Sequence, residues 1–229
     1  YKNGYGVDQD YRIAIELFQK AIDTGFGMGE GEVELGIMYR EGFGIDASDE
    51  KARKLFLKAI EQDNPKAHFY LGIQYKFGEG VQEDQAKAIK WFRKGAELND
   101  PEATNEIGIM YETGQGVPQD YSKAMKWYRK AAALGDINAL RNIGLFYDTG
   151  RVVSQDYGEA MEWYRKAADL NNTAAMRNIA LLYENGEGVE KNITTAIKWY
   201  RKAAELGYAD SMNQIGYLHN VGEGIPQDY

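Results

Sequence analysis

Arg141-Asn142 and Arg177-Asn178 repeat one dipeptide 36 residues apart. A guanidinium offers a planar fork of donors that matches a carboxylate, and an asparagine amide offers a donor and an acceptor to a peptide backbone. The same interval extends both positions along the chain. One row reads Phe69, Asn105, Arg141, Arg177, Asn213, and the next reads Tyr70, Glu106, Asn142, Asn178, Gln214. Amides and guanidinium groups spaced in this way suit an extended peptide. They suit an ordinary hydrated helix face equally well, and both readings stand at this level.

Few other residues offer chemistry. The only 2 histidines are His68 and His219, about four repeats apart, too distant in an extended array to share a metal or a catalytic centre. Carboxylates are plentiful, but they fall on turns and exposed helix faces. No nucleophile has a base beside it, so no catalysis, metal or cofactor is expected. The chain has 0 cysteines, which removes disulfides, thiol nucleophiles and thiolate metal sites together and selects no compartment. Gly-x-Gly-Val segments look superficially like phosphate-cradling loops, but such a loop follows a strand and occurs once. Here the segment joins two helices in every unit, as a structural turn. Two glycosylation sequons, at Asn171 and Asn192, matter only in a eukaryotic secretory pathway.

The 4 tryptophans, Trp91, Trp127, Trp163 and Trp199, recur at the same interval, and Leu17 and Leu55 hold the equivalent places. This predicts core packing rather than an aromatic ligand groove. Arg93, Arg129, Arg165 and Arg201, each followed by lysine, form a regular basic ridge. Glu97, Asp169 and Glu205 stand four residues on, which predicts a solvated, charge-balanced face rather than a site for an anionic partner. A formal charge of −8 argues against duplex nucleic acid and against anionic lipid, both of which require a basic surface. No apolar run approaches the roughly 20 residues needed to span a bilayer.

The elements that carry these residues follow from a longer echo. Leu/Ile-Gly-x-x-Tyr appears at Leu35 to Tyr39, Leu71 to Tyr75, Ile107 to Tyr111 and Ile143 to Tyr147. It returns altered at Ile179-Ala180 to Tyr183 and at Ile215-Gly216 to His219. A constant interval means one small unit copied and stacked. Within one copy, Asp100-Pro101 predicts an N-cap and first turn, and Ala103, Ile107 and Tyr111 share one side of a helix over about 101–113. Gly114-x-Gly116-Val117 breaks it, with glycine where positive φ is required. Glycines recur there at Gly4, Gly42, Gly78, Gly114, Gly150, Gly186 and Gly222. A second helix, over about 120–134, carries Ala124, Trp127, Tyr128 and Ala131 and closes at Leu134-Gly135. Residues 1–229 thus form a single array of about six repeats and about twelve helices, an all-α solenoid of antiparallel pairs. Tyr1–Val7 and Asn220–Ile225 fall at nearly the same phase of the repeat, which reads as a piece of a longer chain.

Three departures are local. Gly25 to Gly31 is two residues longer than its counterparts and predicts a looser helix start. Arg151-Val152-Val153 lacks the second turn glycine, so that turn is either strained or differently shaped. Ala180 replaces the packing glycine and predicts a slight displacement of its helix.

These motifs, Ala-x-x-x-Leu-Gly-x-x-Tyr, then Gly-x-Gly-Val, then Ala-x-x-Trp-Tyr-x-Lys-Ala-Ala, resemble the Sel1-like repeat family, relatives of the tetratricopeptide repeat. The resemblance runs through the whole chain and implies a right-handed superhelix that serves as a scaffold or adaptor for protein–protein contacts. It also implies that the first helices of the pairs line a concave surface. Phe69, Tyr70, Asn105, Glu106, Arg141, Asn142, Arg177, Asn178, Asn213 and Gln214 would then face a groove for a protein or peptide segment. The alternatives are a structural spacer, an array that associates end to end, or a regulator of a partner enzyme.

Overall fold

The computed structural model describes residues 10–25 and 27–221, without the side chain of residue 221. The expectations placed on Tyr1–Val7, Gly4, Gly222 and residues 222–225 lie outside the described residues, as does Phe26. Twelve helices are described: α1 (Tyr11–Thr24), α2 (Glu30–Glu41), α3 (Asp49–Ile60), α4 (Pro65–Phe77), α5 (Gln85–Glu97), α6 (Pro101–Thr113), α7 (Tyr121–Ala133), α8 (Ile137–Thr149), α9 (Tyr157–Asp169), α10 (Thr173–Asn185), α11 (Ile193–Glu205) and α12 (Ala209–Val221). No strand occurs among the described residues. The chain is an all-α array of helix pairs and forms two compact units, Tyr1–Asp120 and Tyr121–Tyr229. The first holds α1 to α6 and the second α7 to α12.

The helix limits follow from the caps. Asp100 Oδ1 accepts the Ala103 N–H at 2.6 Å, Asp136 Oδ1 accepts that of Ala139 at 2.6 Å, and Asn172 Oδ1 that of Ala175 at 2.8 Å. Each such cap stabilises its helix by about 1 kcal/mol. The even-numbered helices α2 to α10 end on Gly42, Gly78, Gly114, Gly150 and Gly186, all left-handed at φ between 67° and 79°. At Arg151-Val152-Val153 the two alternatives resolve. Val152 is not among the described residues with positive φ, so this turn is differently shaped rather than strained. The glycine-rich start of α2 has Gly29 as its N-cap, with no side-chain hydrogen bond there.

Within each unit, an even-numbered helix packs most extensively on the helix that follows it. The signature glycine permits this approach. A Cβ on Gly72 would lie 2.3 Å from a ring atom of Phe92, and one on Gly144 would lie 2.7 Å from Tyr164. Ala180 occupies the same place opposite Tyr200 and is fully buried with Ala196, Ile197 and Tyr200.

The tryptophans meet the expectation of core packing only in part, with Trp91 and Trp199 lying against the core clusters. Trp91, Trp127, Trp163 and Trp199 are only half-buried, whereas the next residue in the chain, Phe92, Tyr128, Tyr164 or Tyr200, is 0% exposed. Consecutive helical residues diverge by about 100°, so only one of the pair can face the neighbouring helices. The indoles lie on the flank, each beneath a lysine three residues on. Lys94, Lys166 and Lys202 Nζ stand 4.4, 4.3 and 4.3 Å from the ring centroids.

Candidate functional site

In the first unit, the candidate residues lie on α4 and α6 and are largely engaged within the protein. Tyr70 stacks on Phe56 with centroids 5.0 Å apart, and Phe69 meets Tyr70 edge-on at 5.1 Å. Burial pushes the Tyr70 hydroxyl up to about 12, with Glu34 adding to the rise. Asn105 is 5% exposed. Lys76 Nζ meets Glu106 Oε2 at 2.7 Å, joining α4 to α6. One repeat earlier, Arg40 grips Glu79 with Nε and Nη2, at 2.7 and 2.9 Å. That hydrogen-bonded pairing raises the arginine's already high pKa. An open cleft of about 500 Å³ lies where α2, α4 and α6 begin, bordered by Glu30, Glu34, Asn64 and Asp100. No periodicity signals it, because it is formed by helix starts rather than by one helix face.

In the second unit, the same rows are less committed. Arg141 and Asn142 lie on α8, Arg177 and Asn178 on α10, and Asn213 and Gln214 on α12. Arg177 forms no hydrogen bond or ion pair with a described residue. Arg141 Nη1 has a single contact, at 3.5 Å, with Asn142 Oδ1. Its Nε is buried without a partner, and the buried Asn178 amide meets the Tyr164 hydroxyl and opposes the rise of its pKa. Asn213 is exposed, whereas Gln214 Nε2 donates to Glu184 Oε1 at 2.9 Å.

Two tyrosines organise this face. The Tyr164 hydroxyl donates to Asp148 Oδ2 at 2.8 Å, and the Tyr200 hydroxyl donates to Glu184 Oε2 at 2.6 Å. Both tyrosines are pushed far above their ordinary range, first by burial and then by the carboxylate each one meets. Arg141 opposes the rise at Tyr164, and Arg177 opposes it at Tyr200. Burial raises Asp148 against the opposing hydrogen bond from Tyr164. Each cluster therefore brings together a buried phenol, a carboxylate and a guanidinium from three places in the chain. The arrangement can donate and accept hydrogen bonds. His68 stands apart from both clusters, buried against Trp91 at 5.8 Å, and His219 is exposed. Among the described residues, no group of three or more His, Cys, Asp or Glu could hold a metal ion. None of the described helices is long and apolar enough to cross a membrane.

The basic ridge is solvent-exposed, as expected, but its arginines are not paired along their own helix. Arg93 Nη2 donates to the Tyr111 hydroxyl at 3.2 Å, Arg129 to Tyr147 at 3.2 Å and Arg165 to Tyr183 at 3.4 Å. These arginines thus reach across to the signature tyrosine of the next helix, rather than along their own helix to the carboxylate four residues on. The constant offset of 18 residues between arginine and tyrosine was the available signal. A single-helix periodicity does not report it, because the two groups belong to different helices.

Comparisons with known proteins agree with this architecture. The Sel1 repeat matches at residues 1–26, 29–64, 65–100, 101–136, 137–172, 173–208 and 209–229. No curated protein matches the chain. A Sel1 repeat protein from Oxalobacter formigenes is similar in structure, with a TM-score of 0.79 and 29% identity over 94% of this chain and 92% of that one. The protein c5321, described as a protective antigen present in uropathogenic Escherichia coli strains displaying an SLR fold, is 32% identical. That match has a TM-score of 0.69 and covers 100% of this chain but 49% of c5321. Immunity protein Pa5087 from Pseudomonas aeruginosa has a TM-score of 0.60 at 21% identity, over 90% of this chain and 74% of its own. That last likeness concerns the fold alone. Repeat matches along the whole length, carried by the helices and turns described above, make this chain a member of the Sel1 repeat family.

Proposed function

We propose that this chain is a non-enzymatic interaction scaffold, and that the α8–α10–α12 face of its second unit takes an extended segment of a partner protein. Sel1 repeat proteins are in general protein-interaction scaffolds. The observation that carries the finer reading is the change along one row of equivalent positions. Phe69 and Asn105 in the first unit are engaged within the protein, whereas Arg177 in the second forms no hydrogen bond or ion pair with a described residue. A guanidinium left unpaired on a half-buried face is a donor set ready for an external acceptor. Arg141, Asn142, Arg177, Asn178, Asn213 and Gln214 are the residues assigned to it. Phe69, Tyr70, Asn105 and Glu106 make up the corresponding rows of the first unit, a lesser surface because most of their contacts are internal.

The test is Arg141→Ala with Arg177→Ala in the full chain. A peptide selected for binding to the wild-type chain should lose at least about tenfold in affinity, the worth of one or two charge-assisted hydrogen bonds. Helical content measured by circular dichroism should stay the same. Unchanged affinity would remove this face from the assignment.

A further inference from the structure

A second place in the second unit is built for a ligand of different chemistry. A cleft of about 370 Å³ lies between the ends of α9 and α11, over the first turns of α10. None of the residues assigned above to the α8–α10–α12 face lines it. Its apolar walls are the indole of Trp199, the Leu206 side chain and Met176, the last only 4% exposed. Its charged groups are the carboxylates of Asp169 and Glu205 and the ammonium group of Lys202.

Three features of this cleft favour a positive charge. Asp169 and Glu205 are the last residues of α9 and α11, so the negative end of a helix dipole stands beside each carboxylate and stabilises a cation there. Neither acid forms a hydrogen bond or ion pair with a described residue. The indole is the third feature, because its face attracts cations. Lys202 already shows this attraction, with Nζ 4.3 Å from the Trp199 centroid rather than against either acid. One ammonium group therefore faces two unpaired carboxylates. We infer that this cleft takes an arginine side chain of a partner polypeptide, with the guanidinium between Asp169 and Glu205 and the methylene stem along Trp199, Met176 and Leu206.

Arginine suits these walls better than the other side chains. Its planar fork donates to two carboxylates at once and stacks on an aromatic ring, whereas an ammonium is a compact, strongly hydrated point charge. An apolar side chain would cover the indole and leave both acids uncompensated. The array also carries its own controls. Around Trp163 the corresponding pair is Ala133 and Asp169, and around Trp127 it is Glu97 and Ala133, so each of those places has one acid only. Around Trp91 the pair is Glu61 and Glu97, but there the ring of His68 stands against the indole at 5.8 Å, in the place of Met176.

The experiment titrates the isotopically labelled full chain with the blocked peptide acetyl-Gly-Arg-Gly-amide and follows the indole N–H signals by NMR. Trp127→Phe, Trp163→Phe and Trp199→Phe assign those signals. The Trp199 signal should move and saturate, and those of Trp127 and Trp163 should stay in place. A peptide with citrulline, which keeps the shape and loses the charge, should bind at least about tenfold more weakly, and so should the arginine peptide to Asp169→Asn with Glu205→Gln. Both acids are exposed, so that variant should melt as the wild type does. Arg141→Ala with Arg177→Ala should leave the titration unchanged, which keeps this cleft distinct from the face proposed above. Equal movement of the three indole signals, or equal binding of the citrulline peptide, would mean an apolar ledge and overturn the assignment. Equal binding of a lysine peptide would overturn the choice of arginine, and tighter binding of free arginine than of the peptide would overturn the polypeptide. If the Trp199 signal does not move at millimolar peptide, the site is wrong.

Discussion

Tyr200 donates its hydroxyl to Glu184 Oε2 at 2.6 Å, and this pairing marks a change in chemistry along the array. In the second unit, Tyr164 and Tyr200 face Asp148 and Glu184. In the first unit, Phe56 and Phe92 hold the tyrosine's place, and Arg40 and Lys76 hold the acid's place. Hydroxyl and carboxylate come together and are absent together. Each state is self-consistent, since a buried hydroxyl needs an acceptor and a phenyl ring does not.

Mixing the two states should therefore be unfavourable in either direction. Tyr200→Phe leaves a half-buried carboxylate with one donor fewer and should cost about 2 kcal/mol. Phe92→Tyr introduces a hydroxyl on a fully buried ring at a place where the facing residue is Lys76, and should cost about 1 kcal/mol or more. Urea unfolding followed by circular dichroism measures both. If Phe92→Tyr is as stable as wild type, the coupling between ring and facing residue is not real.

Ser211 points to a second imbalance. It is 0% exposed, and its Oγ has no partner. The equivalent positions are Ala67, Ala103, Ala139 and Ala175, all 0% exposed. Ser211→Ala removes an unsatisfied hydroxyl, leaves the shape nearly unchanged and adds helix propensity. It should raise stability by about 1 kcal/mol. A thermal melt with no rise, or a fall, would mean that the hydroxyl has a partner in solution.

Much of the fold was legible because it depends on residues close in sequence. Asp100-Pro101 and the glycine at 114 delimit α6 at 101–113, the span the sequence predicts, since a cap and a left-handed stop act within one turn. The burial of Ala103 and Ile107 likewise follows from helical spacing, whereas Tyr111, expected on the same side, is only half-buried and its neighbour Met110 is buried. What periodicity left open was which member of each bulky pair is fully buried, because the flank of a helix is decided by its neighbour. The acid–amide and arginine–tyrosine pairings were hidden for the same reason. They connect helices at offsets of 30 and 18 residues, and only a comparison of copies, position by position, exposes them. Within the candidate rows, the type of each residue was legible, but whether an internal partner already occupied it was not. Glu106 and Arg177 look alike as polar groups on a helix face, yet Lys76 satisfies the first and nothing described satisfies the second.

The signature glycine allows a sharper stability test. A methyl group at Gly72 would fall 2.3 Å from the Phe92 ring, in a core where Phe92 is fully buried and has little room to retreat. Gly72→Ala should cost about 1–3 kcal/mol through overpacking, despite the better helix propensity of alanine. At Ala180 the relationship inverts, because the copy around Tyr200 already accommodates the methyl group. Ala180→Gly should cost about 1 kcal/mol from the added backbone freedom alone. Stabilisation by Gly72→Ala would contradict the close approach of α4 and α5.

His68 carries the prediction in pH. It lies on α4, 6% exposed, with Nδ1 3.2 Å from the Asn64 carbonyl and its ring against Trp91. Burial depresses its pKa below the ordinary 6.5, and Lys94 adds to the effect, while the Asn64 carbonyl and Asp63 act against it. A histidine depressed on folding binds its proton more readily in the unfolded chain. Its contribution to stability is therefore complete above pH 6.5 and is lost as pH falls through the lower folded value. The equivalent residue three repeats further on is Met176, 4% exposed, so methionine suits this kind of site. His68→Met should flatten the fall in stability that sets in below about pH 6.5, as measured by urea unfolding at successive pH values. An unchanged slope would mean that other groups titrate there and that His68 is not the source.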